Sequence, residues 1–340
     1  MKKEVKAITN IFSKTPAQLF TLGIQKVSFA VAKDFPFSIP PSIVLEPTNA
    51  CNLQCISCRK KSNLPEKTGF LDIRSAKNLL KEIGGYLNSI LFNGFGEPLL
   101  HPDFCVFLSM FHKELPRAKV RFFTNGLLLS DQIIKSIIIN EVYEIIISLD
   151  STTAENYRKI RGADFSVILQ NIQKLNNIKK SFKKKFPLVK ASFTIVEENQ
   201  NELLSFFDLL RALDIEPGLV EVVNTKWGYS GKVPGLSYVK AAYKKCGALF
   251  PDIDLKSVFP LFNKYSQPIC PLPFVPYVAW NGDLKACCYM PIASEYSLGN
   301  VFTSSFNKVW HNKKNRYLRT ELLHNRLLPF CHDCTLNNNS

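Results

Sequence analysis

Three cysteines in one short stretch, Cys51-Asn-Leu-Gln-Cys55-Ile-Ser-Cys58, are the most concentrated chemistry in the chain. Thiolates spaced C-x3-C-x2-C on a loop can hold three corners of a cubane iron–sulfur cluster. The absent fourth cysteine leaves one iron open to a substrate or cofactor, as the open position does at a catalytic zinc. Structural zinc is the competing reading. It prefers four ligands in paired spacings, and no fourth Cys or His lies close by in the sequence.

A second set lies toward the C-terminus: Cys270, Cys287, which stands five residues after Gly282, and the pair Cys331-His-Asp-Cys334. Four thiolates from distant segments would close a small domain with little apolar core, and a bound metal supplies the stability that such a core lacks. An all-cysteine zinc site with a Cys-x2-Cys pair fits the same description, so zinc and iron–sulfur both stand on these grounds. Cys105, on an expected helix, reads as a small buried apolar side chain. Cys246 is a thiol outside both sets and a spare ligand candidate. Ten cysteines could also mark a secreted disulfide protein. The charged start Met1-Lys2-Lys3 is not followed by a continuous apolar segment, because Gln25 and Lys26 interrupt residues 19–31. No run of about eighteen apolar residues occurs. The thiols are therefore read as metal ligands of a cytoplasmic protein.

From residue 42 onward, apolar runs at 43–46, 89–93, 120–124, 142–149, 189–196 and 219–223 alternate with helical stretches. The helices fall at 73–83, 102–115, 131–140, 154–180 (broken near Gly162) and 201–213. This rhythm predicts an α/β fold, a parallel sheet covered by helices. Periodicity leaves a partial barrel and an open doubly wound sheet equally open, but in both the chemistry gathers at the C-terminal ends of the strands. The cysteine triplet, Glu97, Asn125, Ser148 and Asp150 all fall at such ends. Residues 1–40 carry Val5, Ile8, Ile11 and Phe12 at helical spacing and end at Pro36, Pro40 and Pro41. They read as a basic helix packed on the domain, with an interfacial helix for a membrane or partner as the alternative. Residues 225–265 read as a connecting segment. Asn281-Gly282 predicts a hairpin with a tight primed turn, and 304–325 a helix.

A chain of 340 residues, 46% hydrophobic, can bury one large core and a small appended domain. Its net charge of +15, from 43 basic and 28 acidic residues, points to an acidic partner or an anionic surface. Lys far outnumbers Arg, which argues against a reader of nucleic-acid bases. The densest run, Lys179, Lys180, Lys183, Lys184 and Lys185, reads as a solvated helix end.

These features, in this order, resemble the radical S-adenosylmethionine (SAM) superfamily. The triplet follows the first strand. Asn93-Gly94-Phe95-Gly96-Glu97-Pro98 resembles the family's Gly-Gly-Glu motif, with Phe95 where the first glycine of the pair is usual. Thr124-Asn125-Gly126 resembles its Thr-Asn-Gly, and Ser148 with Arg161 matches its fourth-strand Ser and following Arg. The resemblance implies a partial (β/α)6 TIM-type barrel over 41–224 and a basic extension over 1–40. It implies that Cys51, Cys55 and Cys58 hold a SAM-binding [4Fe–4S] cluster. Gly94 and Gly96 would let backbone approach the ligand, and Glu97 would accept the SAM ammonium. Ser148 and Arg161 would bind the carboxylate and ribose, Arg through its planar fork. Thr194, Ile195 and Val196 would flank the adenine.

The cysteines of 266–340, with Leu298-Gly299-Asn300-Val301 and Trp310, resemble a SPASM/Twitch-type auxiliary domain of small α+β form, in its shorter one-cluster version. Its ligands would be Cys270, Cys287, Cys331 and Cys334. Cys288 is the rival of Cys287, since adjacent strand residues face opposite ways.

The implied activity is that of an oxidoreductase. A one-electron donor such as flavodoxin or ferredoxin drives cleavage of SAM to a 5′-deoxyadenosyl radical. The radical takes a substrate hydrogen, and the auxiliary [4Fe–4S] cluster helps to oxidise or cross-link a peptide or protein side chain. The alternatives are a dehydrogenase or epimerase of a small polar molecule (an aminocyclitol or sugar), and a non-catalytic iron–sulfur or zinc RNA-binding module. Asp150, Glu221, Asp252 and Asp254 are the candidate bases, none singled out.

Overall fold

The structure, a computed structural model, describes residues 39–58, 67–223, 229–258, 275–287, 297–324 and 326. The expectations for residues 1–38 and for Cys270, Cys288, Cys331 and Cys334 lie outside these residues.

Six parallel strands form in chain order: β1 (Ser42–Leu45), β2 (Ser89–Phe92), β3 (Lys119–Thr124), β4 (Glu144–Ser148), β5 (Leu188–Ile195) and β6 (Glu216–Val222). Between them run α1 (Ile73–Ile83), α2 (Phe104–Glu114), α3 (Asp131–Ile139), α4 (Ala154–Arg161), α5 (Phe165–Ser181) and α6 (Leu203–Ala212). The expected strands and helices all form. Each strand pairs with the next in sequence, giving the order β6-β5-β4-β3-β2-β1. A doubly wound sheet reverses its order at a switch point; this one never does. Right-handed crossovers in one direction put all the helices on one face, and the other face becomes the interior of an unclosed barrel.

Local chemistry sets the boundaries. Asp72, Ser130, Thr153 and Asp164 accept backbone N–H bonds at the starts of α1, α3, α4 and α5. Gly162, left-handed at φ 72°, ends α4. β6 starts three residues earlier than its apolar run, at Glu216-Pro217-Gly218. It is an edge strand paired only with β5, so a proline is tolerated, and the register shifts opposite this stretch. The core between sheet and helices is rich in aromatic rings; Phe92 stacks against Phe104, Phe107 and Phe111.

The segment expected as a connection carries α7 (Leu236–Leu249) and α8 (Leu255–Val258). Cys246 on α7 is fully buried in the main core, and burial pushes its thiol up to about 11. It packs as a small apolar residue, as does half-buried Cys105 on α2.

Next come β7 (Tyr277–Val278), β8 (Asp283–Lys285) and β9 (Ser297–Asn300), then α9 (Phe306–Trp310) and α10 (Lys313–Leu323). β7 pairs in parallel with β1, and β8 and β9 follow antiparallel, so this α+β region extends the barrel sheet. Both oxygens of Glu82 on α1 accept N–H bonds at the start of α9, from Phe306 (2.9 Å) and Asn307 (3.0 Å). The hairpin forms where expected, but only Gly282 of Asn281-Gly282 has a positive φ, 89°. A type I′ turn needs both central residues at positive φ and a type II′ turn the first, so the loop is the longer kind closed by a left-handed glycine. The expected helix over 304–325 is two helices, because the Asn312 side chain accepts the Asn315 N–H and starts α10 afresh.

Candidate active site

At the C-terminal ends of β1–β6 lies a cavity of about 440 Å3. Cys51, Cys55, Cys58, Gly94, Gly96, Glu97, Ser148 and Arg161 all line it. Residues as far as 110 positions apart in the chain thus meet because they lie in the segments that follow successive strand ends. Ile195 does not join them. It is buried in the main core, while its neighbour Thr194 lines the cavity. Alternation along β5 turns adjacent residues to opposite faces, which removes the Ile195 side chain from the cofactor-facing set.

The cysteine loop is fixed from two sides. Ile56 N–H donates to the Ile160 carbonyl at the end of α4 (2.9 Å), and Glu97 N–H to the Ala50 carbonyl (2.7 Å). A Cβ on Gly96 would stand 2.2 Å from that Ala50 oxygen and 2.5 Å from the Thr48 oxygen. Glycine is needed here so that the loops after β1 and β2 can touch. A Cβ on Gly94 would meet the Glu46 side chain at 2.2 Å. The space freed by both glycines is filled by the protein itself, not left for a ligand.

Glu97 is buried and well supplied with donors. Its Oε1 accepts from Thr124 Oγ1 (2.7 Å) and Leu99 N (3.1 Å), and its Oε2 from Asn125 N (2.7 Å). Burial raises its pKa and these bonds oppose the rise. The Thr-Asn-Gly stretch therefore serves to hold Glu97, tying the end of β2 to that of β3. Oε2 keeps a lone pair that a ligand ammonium could use.

Asp150, just past β4 with φ 51°, accepts from Arg161 Nη1 at 2.8 Å and from Thr194 N at 2.7 Å. Arg161 is thus half of a buried ion pair, with its side chain 11% exposed, and not part of a surface pair. Burial disfavours its charge, but the Cys55 thiol and Asp150 outweigh that and hold its pKa above the usual range. Its Nε is buried with no acceptor among the described residues. Burial also pushes the Cys55 thiol up to about 11, against the pull of Arg161.

A SAM-carrying cluster fits this donor set. Cys51, Cys55 and Cys58 are in no disulfide and line one cavity. Among the described residues no three Cys, His, Asp or Glu side chains converge on a point the size of one metal ion. A mononuclear zinc site needs that convergence, whereas a cubane takes its thiolates on separate irons. The orphaned Arg161 Nε supplies a donor for an anionic group.

Sequence reasoning passed over Glu46, which is 2% exposed and accepts from Phe95 N and Tyr277 Oη, both at 2.8 Å. An acidic residue inside an apolar strand run was its one signal. Ser192, also missed, is the register partner of Ser148 and lines the cavity. Its signal was the polar alternation Ser192, Thr194 along β5. Of the four candidate bases, Asp150 and Glu221 line the cavity, whereas Asp252 is an exposed partner of Arg211 at 2.7 Å. Asp254, beside α8, is absent from the cavity wall as well.

Family models match in two places: the radical SAM superfamily over residues 45–210 and an iron–sulfur cluster-binding domain, SPASM, over 273–335. The chain thus carries a radical SAM domain followed by a C-terminal SPASM domain and is an enzyme of that kind. Its cofactors are those of that class: a [4Fe–4S] cluster with SAM, and auxiliary iron–sulfur chemistry in the SPASM domain.

Among its relatives is the tungsten-containing aldehyde ferredoxin oxidoreductase cofactor-modifying protein of Pyrococcus furiosus. It is 25% identical over 320 residues, 86% of this chain and 87% of that protein. Mycofactocin maturase MftC of Mycobacterium tuberculosis is 29% identical over 171 residues, 50% of this chain and 41% of that one. Among solved structures, Streptococcus suis SuiB bound to its precursor peptide SuiA matches with a TM-score of 0.68 at 16% identity, covering 92% of this chain and 73% of SuiB. At that identity the likeness concerns the fold.

Proposed function

We propose that this enzyme oxidises or cross-links a side chain of a peptide or protein, with Cys51, Cys55 and Cys58 holding the SAM-binding cluster. The observation that carries the reading is the meeting of these three thiols with Glu97, Ser148 and Arg161 on one barrel-end cavity. When bound, the cluster and SAM supply a hydrogen-abstracting carbon radical. The chain's own residues hold and shield it. Arg161, kept rigid by Asp150, directs its free N–H at the SAM carboxylate. Ser148 and Thr194 offer hydroxyls to the ribose side, and Glu97, fixed by Thr124 and Asn125, takes the ammonium. The apolar wall of Val44, Leu91, Phe95 and Phe123 excludes water from the reacting centre.

Residues 41–224 form the catalytic barrel in this reading, 225–265 the connection and 266–340 the auxiliary domain. Cys270, Cys287, Cys331 and Cys334 would hold one further [4Fe–4S] cluster, which would supply a one-electron acceptor for the substrate radical. A flavodoxin or ferredoxin is the electron donor, and the reducing cytoplasm keeps the thiols available. The maturase relative, itself named for a maturation activity, supports the peptide class.

The polar row Ser148, Ser192, Thr194 and Glu221 in the cavity favours a second reading, dehydrogenation or epimerisation of a small polar molecule such as an aminocyclitol or sugar. Anaerobic incubation of the reconstituted enzyme with SAM and dithionite separates the two. Peptides encoded beside its gene should raise 5′-deoxyadenosine release and emerge two hydrogens lighter. A rise with aminocyclitols or sugars and none with peptides would reject the peptide reading.

A further inference from the structure

The end of the barrel opposite the cavity is basic and partly apolar. The N-terminal ends of the strands and the C-terminal ends of the helices meet there. Lys183, Lys184 and Lys185 precede β5 and are all exposed, while Lys119 and Arg121 open β3. Lys184 pairs with Glu141 at 3.0 Å; Lys183 and Lys185 reach no carboxylate among the described residues. Between these cations stand two large apolar side chains in water, Ile139 at 58% and Phe182 at 38% exposure. Ile139 ends α3 two residues before Glu141, and Phe182 caps α5 just before the lysines, so the Lys184–Glu141 contact brings both into one patch.

The cavity end carries acids at its helix starts, beside Arg158, Lys159 and Arg161 at the end of α4. Asp131, Glu155 and Asp164 stand at the starts of α3, α4 and α5, and Glu197 and Glu198 follow β5. Helix dipoles favour acids at helix starts and bases at helix ends, and account for part of this polarity. They do not account for lysines beyond the end of α5 or for cations on β3. Ile39, three residues before β1, lies at the same end, and the sequence that precedes it, residues 1–38, is basic. That segment holds six lysines against Glu4 and Asp34, with Val5, Ile8, Ile11 and Phe12 at helical spacing.

We propose that the barrel floor docks on an anionic lipid bilayer, with the cavity facing away from it. Lysines in front of a negatively charged surface each add attraction, and apolar side chains among them gain only where hydrocarbon is within reach. Nucleic acid is the poorer occupant. The patch is built mainly from Lys, its Tyr143 and Phe186 rings already pack on each other 5.1 Å apart, and Lys119 covers Tyr143 at 4.4 Å. Phe182 is left as a single exposed ring, short of the successive platforms on which a strand stacks its bases, and Ile139 gains nothing from phosphate.

The test is co-sedimentation of the full-length protein with phosphatidylcholine vesicles, with and without one-third phosphatidylglycerol. Binding is expected only to the anionic vesicles, with loss at high salt. K183E/K184E/K185E should weaken it at least ~10-fold, and Ile139→Ser with Phe182→Ser by a smaller, salt-independent factor. Both variants should keep dithionite-driven SAM cleavage, which shows that they fold. Absence of binding to anionic vesicles at low salt would overturn the proposal. So would equal binding to neutral vesicles, unchanged binding by the lysine variant, or binding to RNA in place of vesicles.

Discussion

At the residue scale, Asp150 and Arg161 do the most to shape the cavity wall. Removing one charge of a buried pair leaves the other uncompensated, at a cost of about 3–5 kcal/mol. Arg161→Met should therefore destabilise the protein strongly in urea unfolding, and adding Asp150→Asn should recover more than half of the loss. A double variant no more stable than the single would show that the pair is not the source. Gly96→Ala is the second test. Its methyl would press on the Ala50 carbonyl next to Cys51, so the variant should lose the iron held by the triplet, about half of the reconstituted total, and about 1–3 kcal/mol of stability. Iron analysis and thermal melting read both effects. The cysteine triplet, Glu97 and Ser148 were legible because each follows or ends a strand in a short motif, and Arg161 because it closes the helix after β4 just before Gly162. Ile195 misled because one step along a strand reverses the face. The real duty of Gly94 was illegible because its neighbour in space, Glu46, is 48 residues away in the sequence.

At the element scale, the helices and turns are tuned by single polar contacts. Glu82 joins α1 to α9 by accepting two N–H bonds at a helix start, where negative charge is favoured. Glu82→Ala should cost about 1–2 kcal/mol and speed hydrogen exchange in 306–312, with α4 and α5 unaffected. Equal exchange in the variant and the wild-type protein would remove Glu82 from this role. His101 sits behind the Glu97 turn, with Nε2 bonded to the Leu71 carbonyl and Nδ1 accepting the Asp103 N–H. That requires a neutral ring, and burial lowers its pKa from the ordinary 6.5. The unfolded chain then binds the proton more readily, so stability falls as pH drops from about 6.5 toward the depressed native value. His101→Gln should flatten that slope in unfolding measured across pH. Element positions were readable from apolar period and caps. The start of β6 was not, because Pro217 and Gly218 argue against a strand unless it is known to lie at an edge.

At the scale of the whole molecule, the sheet order decides what the periodicity could not. Strand spacing says nothing about whether a sheet reverses, and it is the unbroken succession β1 to β6 that leaves an open interior for a site. The attachment of the C-terminal region was equally hidden. β7 is two residues long and is held beside β1 by buried Glu46, which reaches both Tyr277 and Trp280 N–H. A hydrogen-bonded carboxylate thus ties the barrel to the region that leads into Cys287. The overall charge, legible from composition alone, gains meaning only with the fold, which gathers Lys183, Lys184 and Lys185 at the floor. The measurement closest to the central claim is the electron paramagnetic resonance spectrum of the dithionite-reduced, reconstituted enzyme, taken before and after SAM is added. The signal that depends on Cys51, Cys55 and Cys58 should change when SAM is present, and should be missing when all three are alanine. A spectrum indifferent to SAM, or one retained in full by the triple variant, would contradict the assignment of these thiols to a SAM-binding cluster.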